Sequence, residues 1–281
     1  MKKVGLITDS ASCISRAMAD ALHIRVIQNY VVTANHSFRD HDLDLPSYYA
    51  GMRVSRDVAT TSHASMEEVE AVITEELSEY ETVLYMAVSP GYTQLFDMAS
   101  NIKEHHPEGN RIRIVNTEAA SGQMAAVVLE VAAARRPEST WEDLESVARG
   151  AVSKAREIIV LDSLTYLARG GRIGRVRSLL GLALSIKPLI GHLNGIASPW
   201  GKVRTHAQGL DFILKKIQEL GLNSPNPFFL VSDADNAVWA ENAEQALKNR
   251  FPAAAIHRVP MAGAAGTHMG PGTWSVAWIS G

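Results

Sequence analysis

The sequence predicts an α/β protein in two parts. Residues 1–160 carry a mostly parallel sheet with flanking helices, and residues 161–281 a mixed or antiparallel sheet with helices, with a cleft between the two. Three observations lead there. Strand-like and helix-like segments alternate through the first half, which demands crossover connections and a parallel sheet. Asn194-Gly195 lies between two strand-like runs in the second half, a strong hairpin signal. A hydrophobic fraction of 46% against 20% charged residues is that of a packed globular chain.

Taken in order, "KVGLIT" (3–8) reads as a buried strand. Residues 66–80 read as a helix, because Met66, Val69, Val72, Ile73 and Leu77 share one face. Ser65 with Glu68 three residues on forms a capping box that fixes its start. A strand at 82–88, a helix at 93–106, a strand at 111–116 and a helix at 121–136 ended by Pro137 follow. Thr140, with Asp143 at the third helical position, caps a helix to about Arg156, and "EIIVLD" (157–162) closes the parallel series. "SLTYLARGG" (163–171) then reads as a short helix stopped by glycine, and "VRSLLGLAL" (176–184) as another helix. The hairpin, a helix at 209–221, a strand at 227–233, a helix at 237–251 and strands near 255–260 and 273–280 complete the chain.

Composition excludes several functions. A net charge of −3 gives no global field for nucleic acid. The single cysteine, Cys13, permits no internal disulfide and no multi-cysteine metal site. The N-terminal apolar run breaks at Asp9, too short for a signal-peptide core, and no run approaches the ~18 apolar residues of a membrane span. The expected setting is the cytoplasm.

In an open parallel sheet, ligands bind beyond the carboxyl ends of the strands. Those ends carry hydroxyls here: Thr8-Asp9-Ser10, Ser89-Pro90-Gly91-Tyr92-Thr93 and Asn116-Thr117, with Thr60-Thr61-Ser62-His63 before the capped helix. Hydroxyls and helix N-termini together suit an anion, although Ser and Thr also cap helices and shape turns anywhere. "YLARGGRIGRVR" (166–177) suggests a phosphate loop by its four arginines and three glycines. It lacks both the G-x-x-x-x-G-K-[ST] and the G-x-G-x-x-G spacing, so no nucleotide cofactor is expected. The ten histidines are scattered without zinc-ligand spacing, so neither a metal nor a predictable catalytic triad emerges. Near the C-terminus, Gly266, Gly270 and Gly272 around Pro271 read as a rigid turn from which His268 can point into a cleft.

Six segments in this order resemble the DegV family of bacterial fatty-acid-binding proteins over essentially the whole chain. "TDSAS" (8–12) resembles the family's T-D-S-[ST], "TTSHASMEE" (60–68) its T-S-Q-P-S-P-E-E, and "SPGYTQ" (89–94) its L-S-G-T-Y-Q. "YLARGGRI" (166–173), "SIKPLI" (185–190) and "HMGPGTWSV" (268–276) are similar to Y-L-K-K-G-G-R-I, N-I-K-P-I-L and H-x-G-P-G-x-x-G-V. The resemblance implies one long-chain fatty acid between the two domains, its carboxylate on hydroxyl and backbone donors and its chain in an apolar tunnel. It further implies a carrier and not an enzyme, presenting the acid to a separate fatty acid kinase subunit that makes the acyl phosphate.

Carried onto this sequence, the carboxylate ligands are Thr61 with Ser62 and a hydroxyl of the 89–93 loop, closed by His268 and the Gly270 turn. Pro90, with neither hydroxyl nor N–H, stands in the slot of the family's serine. A shifted loop would let Ser89 substitute, with the Gly91 N–H donating. His63-Ala64 also replaces Gln-Pro, and Tyr92-Thr93 inverts Thr-Tyr. Arg169 and Arg172 would lie at the mouth, facing an acidic partner or a membrane surface. "GLALSI" (181–186) and "VVLEVAAA" (127–134) are the candidate tunnel walls. Burying a methylene is worth about 0.8 kcal/mol, so roughly 15 of them offer on the order of 12 kcal/mol before entropic losses. An enzyme acting on a small carboxylated or phosphorylated substrate through Asp9, Ser10 and His268 is the competing reading. Nucleic-acid binding through the arginines ranks below it.

Overall fold

The computed structural model describes residues 2–55, 59–179, 186–222 and 227–281. The alternation in the first half folds as a four-stranded parallel sheet. Its strands are β1 (Lys2–Asp9), β2 (Ile24–Ile27), β6 (Tyr80–Ala87) and β7 (Ile112–Asn116), in the order β2-β1-β6-β7. Helices α1 (Arg16–Leu22), α3 (Met66–Glu79) and α4 (Leu95–His105) provide the crossovers. Helices cover both faces, so β1 buries successive residues, Leu6 and Ile7, as parallel strands do. Both predicted capping boxes form, at Ser65–Glu68 and at Thr140–Asp143, each satisfying two orphan N–H groups.

Between β2 and α3 the chain builds elements that periodicity did not reveal. A three-stranded antiparallel sheet, β4-β3-β5, joins β3 (Tyr30–Val32), β4 (Ser37–Arg39) and β5 (Thr60–Ser62), beside α2 (Leu45–Val54). Its strands are three residues long, with β4 exposed throughout, so no alternation could register.

The second sheet has six strands: β8 (Ala155–Val160), β9 (Lys187–Leu193), β10 (Ile196–Val203), β11 (Phe228–Ala234), β12 (Ala255–Pro260) and β13 (Thr273–Ile279). Their order is β10-β9-β8-β13-β11-β12. It is mixed, as expected: β11 and β12 run parallel, the other pairs antiparallel. β13 lies in the middle of this sheet and every one of its residues is buried, Trp274 and Trp278 completely. Helices α8 (His206–Leu220) and α9 (Ala237–Arg250) pack Ile213, Ile217, Ala240 and Leu247 against it.

Three expectations need correction. The 157–162 strand does not close the parallel series; as β8 it pairs antiparallel with β13 and β9 in the second sheet. The preceding helix α6 (Trp141–Lys154) returns the chain so that β8 enters beside the C-terminal strand. In place of the expected helix over 176–184, the chain forms a 3₁₀ turn over Gly174–Leu179, and residues 180–184 of that expected helix lie outside the described residues. The glycine-rich turn is confined to 270–272, because Gly266 and His268 sit on a short helix, α10 (Gly263–Met269). The stop at Gly170 occurs as read, after α7 (Thr165–Arg169).

Helix α5 (Ser121–Ala134) joins the two sheets. Ten of its 14 residues are buried, an all-round apolar surface that fits a helix covered on both sides. It packs with Val4, Leu6, Leu84 and Met86 of the parallel sheet and with Phe228, Leu230, Ala277 and Ile279 of the mixed one. "VVLEVAAA" therefore belongs to this shared core, not to a tunnel wall.

The Asn194-Gly195 hairpin makes a second junction. Both residues have positive φ, 53° and 77°, the pattern of a type I′ turn. The Ser89 hydroxyl donates to the Gly195 carbonyl at 2.8 Å, and the Gly91 N–H donates to the Ser89 oxygen at 3.1 Å. A methyl group at 195 would occupy the space of the Ser89 hydroxyl. Gly195→Ala should thus lower unfolding free energy by about 2 kcal/mol or more, from left-handed strain plus overpacking, read by urea denaturation.

Candidate functional site

One cavity of about 510 Å³ opens between the two halves of the chain. From the first half come Asn29, Thr61, Ser62, His63 and the 88–94 loop; from the second come Leu167, Arg172, Ile190, His192, Ala197 and His268 with its neighbours on α10. Nine of the 22 lining residues are alanine, valine, leucine, isoleucine or methionine, and ten carry polar side chains.

The first polar group is a pair. Thr61 on β5 and His268 on α10 meet with Oγ1 and Nε2 2.7 Å apart. Burial, with Arg172 adding to it, pulls the His268 pKa down to about 4, so the ring is neutral near pH 7. Its Nδ1 is buried and has no partner among the described residues. Gly170 makes room for it, since a side chain there would occupy the space of Nδ1. The glycine of "YLARGGRI" is thus needed where the second half of the chain approaches the imidazole.

Arg172 differs from its expected place. Instead of facing a partner at the mouth, it turns into the cavity wall, with its guanidinium donating to Gly170 O at 2.7 Å and Tyr92 O at 3.2 Å. Arg169, Arg175 and Arg177 are exposed. Ser62 lines the cavity and donates its hydroxyl to His63 O at 3.2 Å. Gly91 lines it too, but its N–H is engaged by Ser89. Ser89 does not reach the cavity: it is buried and its hydroxyl is spent on the hairpin tip. Gly270 does not line it either; it adopts φ 82° against the Tyr166 ring. Of "GLALSI", residues 181–185 lie outside the described residues.

Other strand-end hydroxyls serve the framework. Thr8 and Thr117 donate to the carbonyls of Met86 and Ala87 at 3.2 and 2.8 Å. Asp9 is wholly buried, accepting from Tyr85 and Val88 at 3.0 Å each and from Ala11 at 3.1 Å. Burial lifts the pKa of both Asp9 and Asp40 to about 6, and Asp40 accepts from the Ala264 N–H at 3.2 Å. The Ser10 hydroxyl, itself buried, accepts from the Asn29 N–H at 2.9 Å and bonds to Asp40, so it is engaged in the framework.

Sequence reasoning missed a second polar group of the wall. Tyr92 Oη lies 2.6 Å from His192 Nδ1, and His192 Nε2 lies 3.3 Å from Glu157 Oε2. The signal was a histidine two residues after Ile190 on a strand, a spacing that puts both on one face. Among the described residues no cluster of His, Cys, Asp and Glu has the geometry to hold a metal ion.

Gly170→Ala should expel the imidazole from its place beside Thr61. By NMR titration of ligand-stripped protein, the His268 ring should then move from a pKa of about 4 toward the ordinary 6.5. An unchanged titration would refute the steric account.

With this geometry in hand, comparison with known proteins is direct. Residues 3–281 match the family described as "Uncharacterised protein, DegV family". Protein DegV of Bacillus subtilis is 24% identical over 285 residues, covering 98% of each chain. A DegV family protein from Thermus thermophilus, solved for its fatty acid binding, superposes with a TM-score of 0.91 at 23% identity, covering 100% of both chains. One from Eubacterium eligens, loaded with heptadecanoic acid, gives 0.83 at 16% identity over 99% of this chain and 100% of that one. The chain belongs to the DegV family.

Proposed function

We propose that this protein holds one long-chain fatty acid, with the carboxylate at Thr61 and His268 and the chain along the apolar wall. It would act as a carrier that presents the acid to a separate fatty acid kinase subunit. The observation that carries this reading is the Thr61–His268 pair, with Arg172 in the same wall, set into a cavity that Val88, Leu167, Ile190, Met269 and several alanines also line. The bound acids of the Thermus and Eubacterium relatives support it.

The chemistry is that of matched desolvation. A carboxylate entering an apolar cavity must regain the hydrogen bonds it loses to water. Thr61 supplies a hydroxyl, steadied by the neutral His268 ring at 2.7 Å, and Arg172 supplies positive charge in the same wall. We assign Arg172 to the head group on that ground, and leave Arg169 on the exposed surface for the partner or a membrane. Ser62 and Thr93 are further hydroxyls within the lining.

The competing reading, an enzyme using His268 as a base, finds less support. A general base is normally oriented through its second nitrogen, and Nδ1 of His268 has no partner among the described residues.

Organic extraction of the purified protein followed by mass spectrometry should recover a fatty acid, and no acyl chain even after incubation with fatty acids would overturn the reading. Thr61→Val should weaken binding of the free acid roughly ten-fold or more while leaving its methyl ester unaffected. With ATP alone the bound acid should stay intact, and adding a fatty acid kinase should yield the acyl phosphate. Phosphorylation without the kinase would make this protein an enzyme instead.

A further inference from the structure

The cavity carries a polar group that a saturated hydrocarbon chain does not need. It is built outward from Glu157, which is completely buried on β8. Glu157 sits at the N-terminus of α5, where its oxygens accept from the Ser121 hydroxyl and the Gln123 N–H, both at 3.1 Å. Both carboxyl oxygens are therefore already acceptors. A carboxylate there can only accept, so the His192 nitrogen facing it, Nε2 at 3.3 Å, carries the proton. The other nitrogen, Nδ1, then presents a lone pair, and the Tyr92 hydroxyl at 2.6 Å donates to it.

The chain of bonds fixes what Tyr92 offers to the cavity. Its proton is directed at His192, and among the described residues the hydroxyl has no second partner. Burial, with the Glu157 charge adding to it, pushes the phenol far above its usual range, so it stays protonated. What is left on this lining residue is an oxygen with lone pairs and no donor. Ile190 lies on the same face of β9, and Ala197 faces His192 across the hairpin. Neither can donate. This acceptor belongs to the 88–94 loop and β9, elements separate from the Thr61–His268 pair on β5 and α10.

We propose that Tyr92, held by His192 and Glu157, forms a second polar subsite of the cavity that accepts a hydrogen bond from a hydroxyl group along the acyl chain, making hydroxylated fatty acids the preferred ligands. This rests on the fatty-acid reading above and names the substrate class within it. A plain chain crossing Tyr92 covers an acceptor and returns nothing, whereas a hydroxyl at the matching carbon satisfies both oxygens; the difference is on the order of ten-fold in affinity. A ketone at that carbon is itself an acceptor and gains nothing, so the subsite discriminates hydroxyl from oxo.

The test is competition binding on ligand-stripped protein with octadecanoic acid, its monohydroxy positional isomers and the corresponding oxo acids. At least one hydroxy isomer should bind roughly ten-fold tighter than octadecanoic acid, its oxo counterpart should not, and Tyr92→Phe should erase the preference while still binding octadecanoic acid. A wild-type protein that favours no hydroxy isomer overturns the proposal but leaves the fatty-acid reading intact, as does a preference that survives Tyr92→Phe. A protein that binds none of these acids overturns both.

Discussion

The arrangement of the molecule depends on one buried carboxyl group. Glu157 reaches from the mixed sheet to the Ser121 hydroxyl and the Gln123 N–H at the start of α5, the helix that both sheets share. Removing water from a carboxylate is expensive, and three donors together with a helix terminus are what offset it. Once the carboxylate is placed, the orientation of His192 follows from it, and that of Tyr92 from His192. A structural anchor thereby sets the chemistry of a cavity wall two side chains away.

The same economy runs through the loop after β6. Pro90 removes both a hydroxyl and an N–H from the slot where the family resemblance expects a serine. Ser89 does not replace it at the cavity, because the hairpin tip takes its hydroxyl. The loop instead turns Tyr92 inward. One polar contribution to the cavity is lost at position 90, and another, of different chemistry and at a different place, appears at 92.

Much of the fold was legible because its signals are local. The capping boxes at Ser65 and Thr140, the Asn194-Gly195 turn and the apolar strands β1 and β6 each specify themselves within a few residues. The three-residue strands of the small sheet did not, since pairing rather than pattern makes them strands. The partners of β8 were also hidden, because the strand it meets, β13, lies more than a hundred residues further along the chain. At the site, Thr61, Ser62, Gly91 and His268 were found through motif resemblance and line the cavity. The inward turn of Arg172 and the Tyr92–His192–Glu157 chain depend on side-chain direction and long-range contact, which no linear spacing encodes.

Helix α5 has a consequence for how the chain comes to be folded. Its second apolar side is completed only by Phe228, Leu230, Ala277 and Ile279, which follow roughly a hundred residues or more after it. During synthesis the parallel sheet can assemble while that side still faces water, so the nascent chain carries an adhesive surface until its last strand arrives. β13 is both that last strand and a central one, with neighbours on either side. The six-stranded sheet is therefore closed from its middle by β13, and a chain that stops short of that strand lacks the element joining β8 to β11.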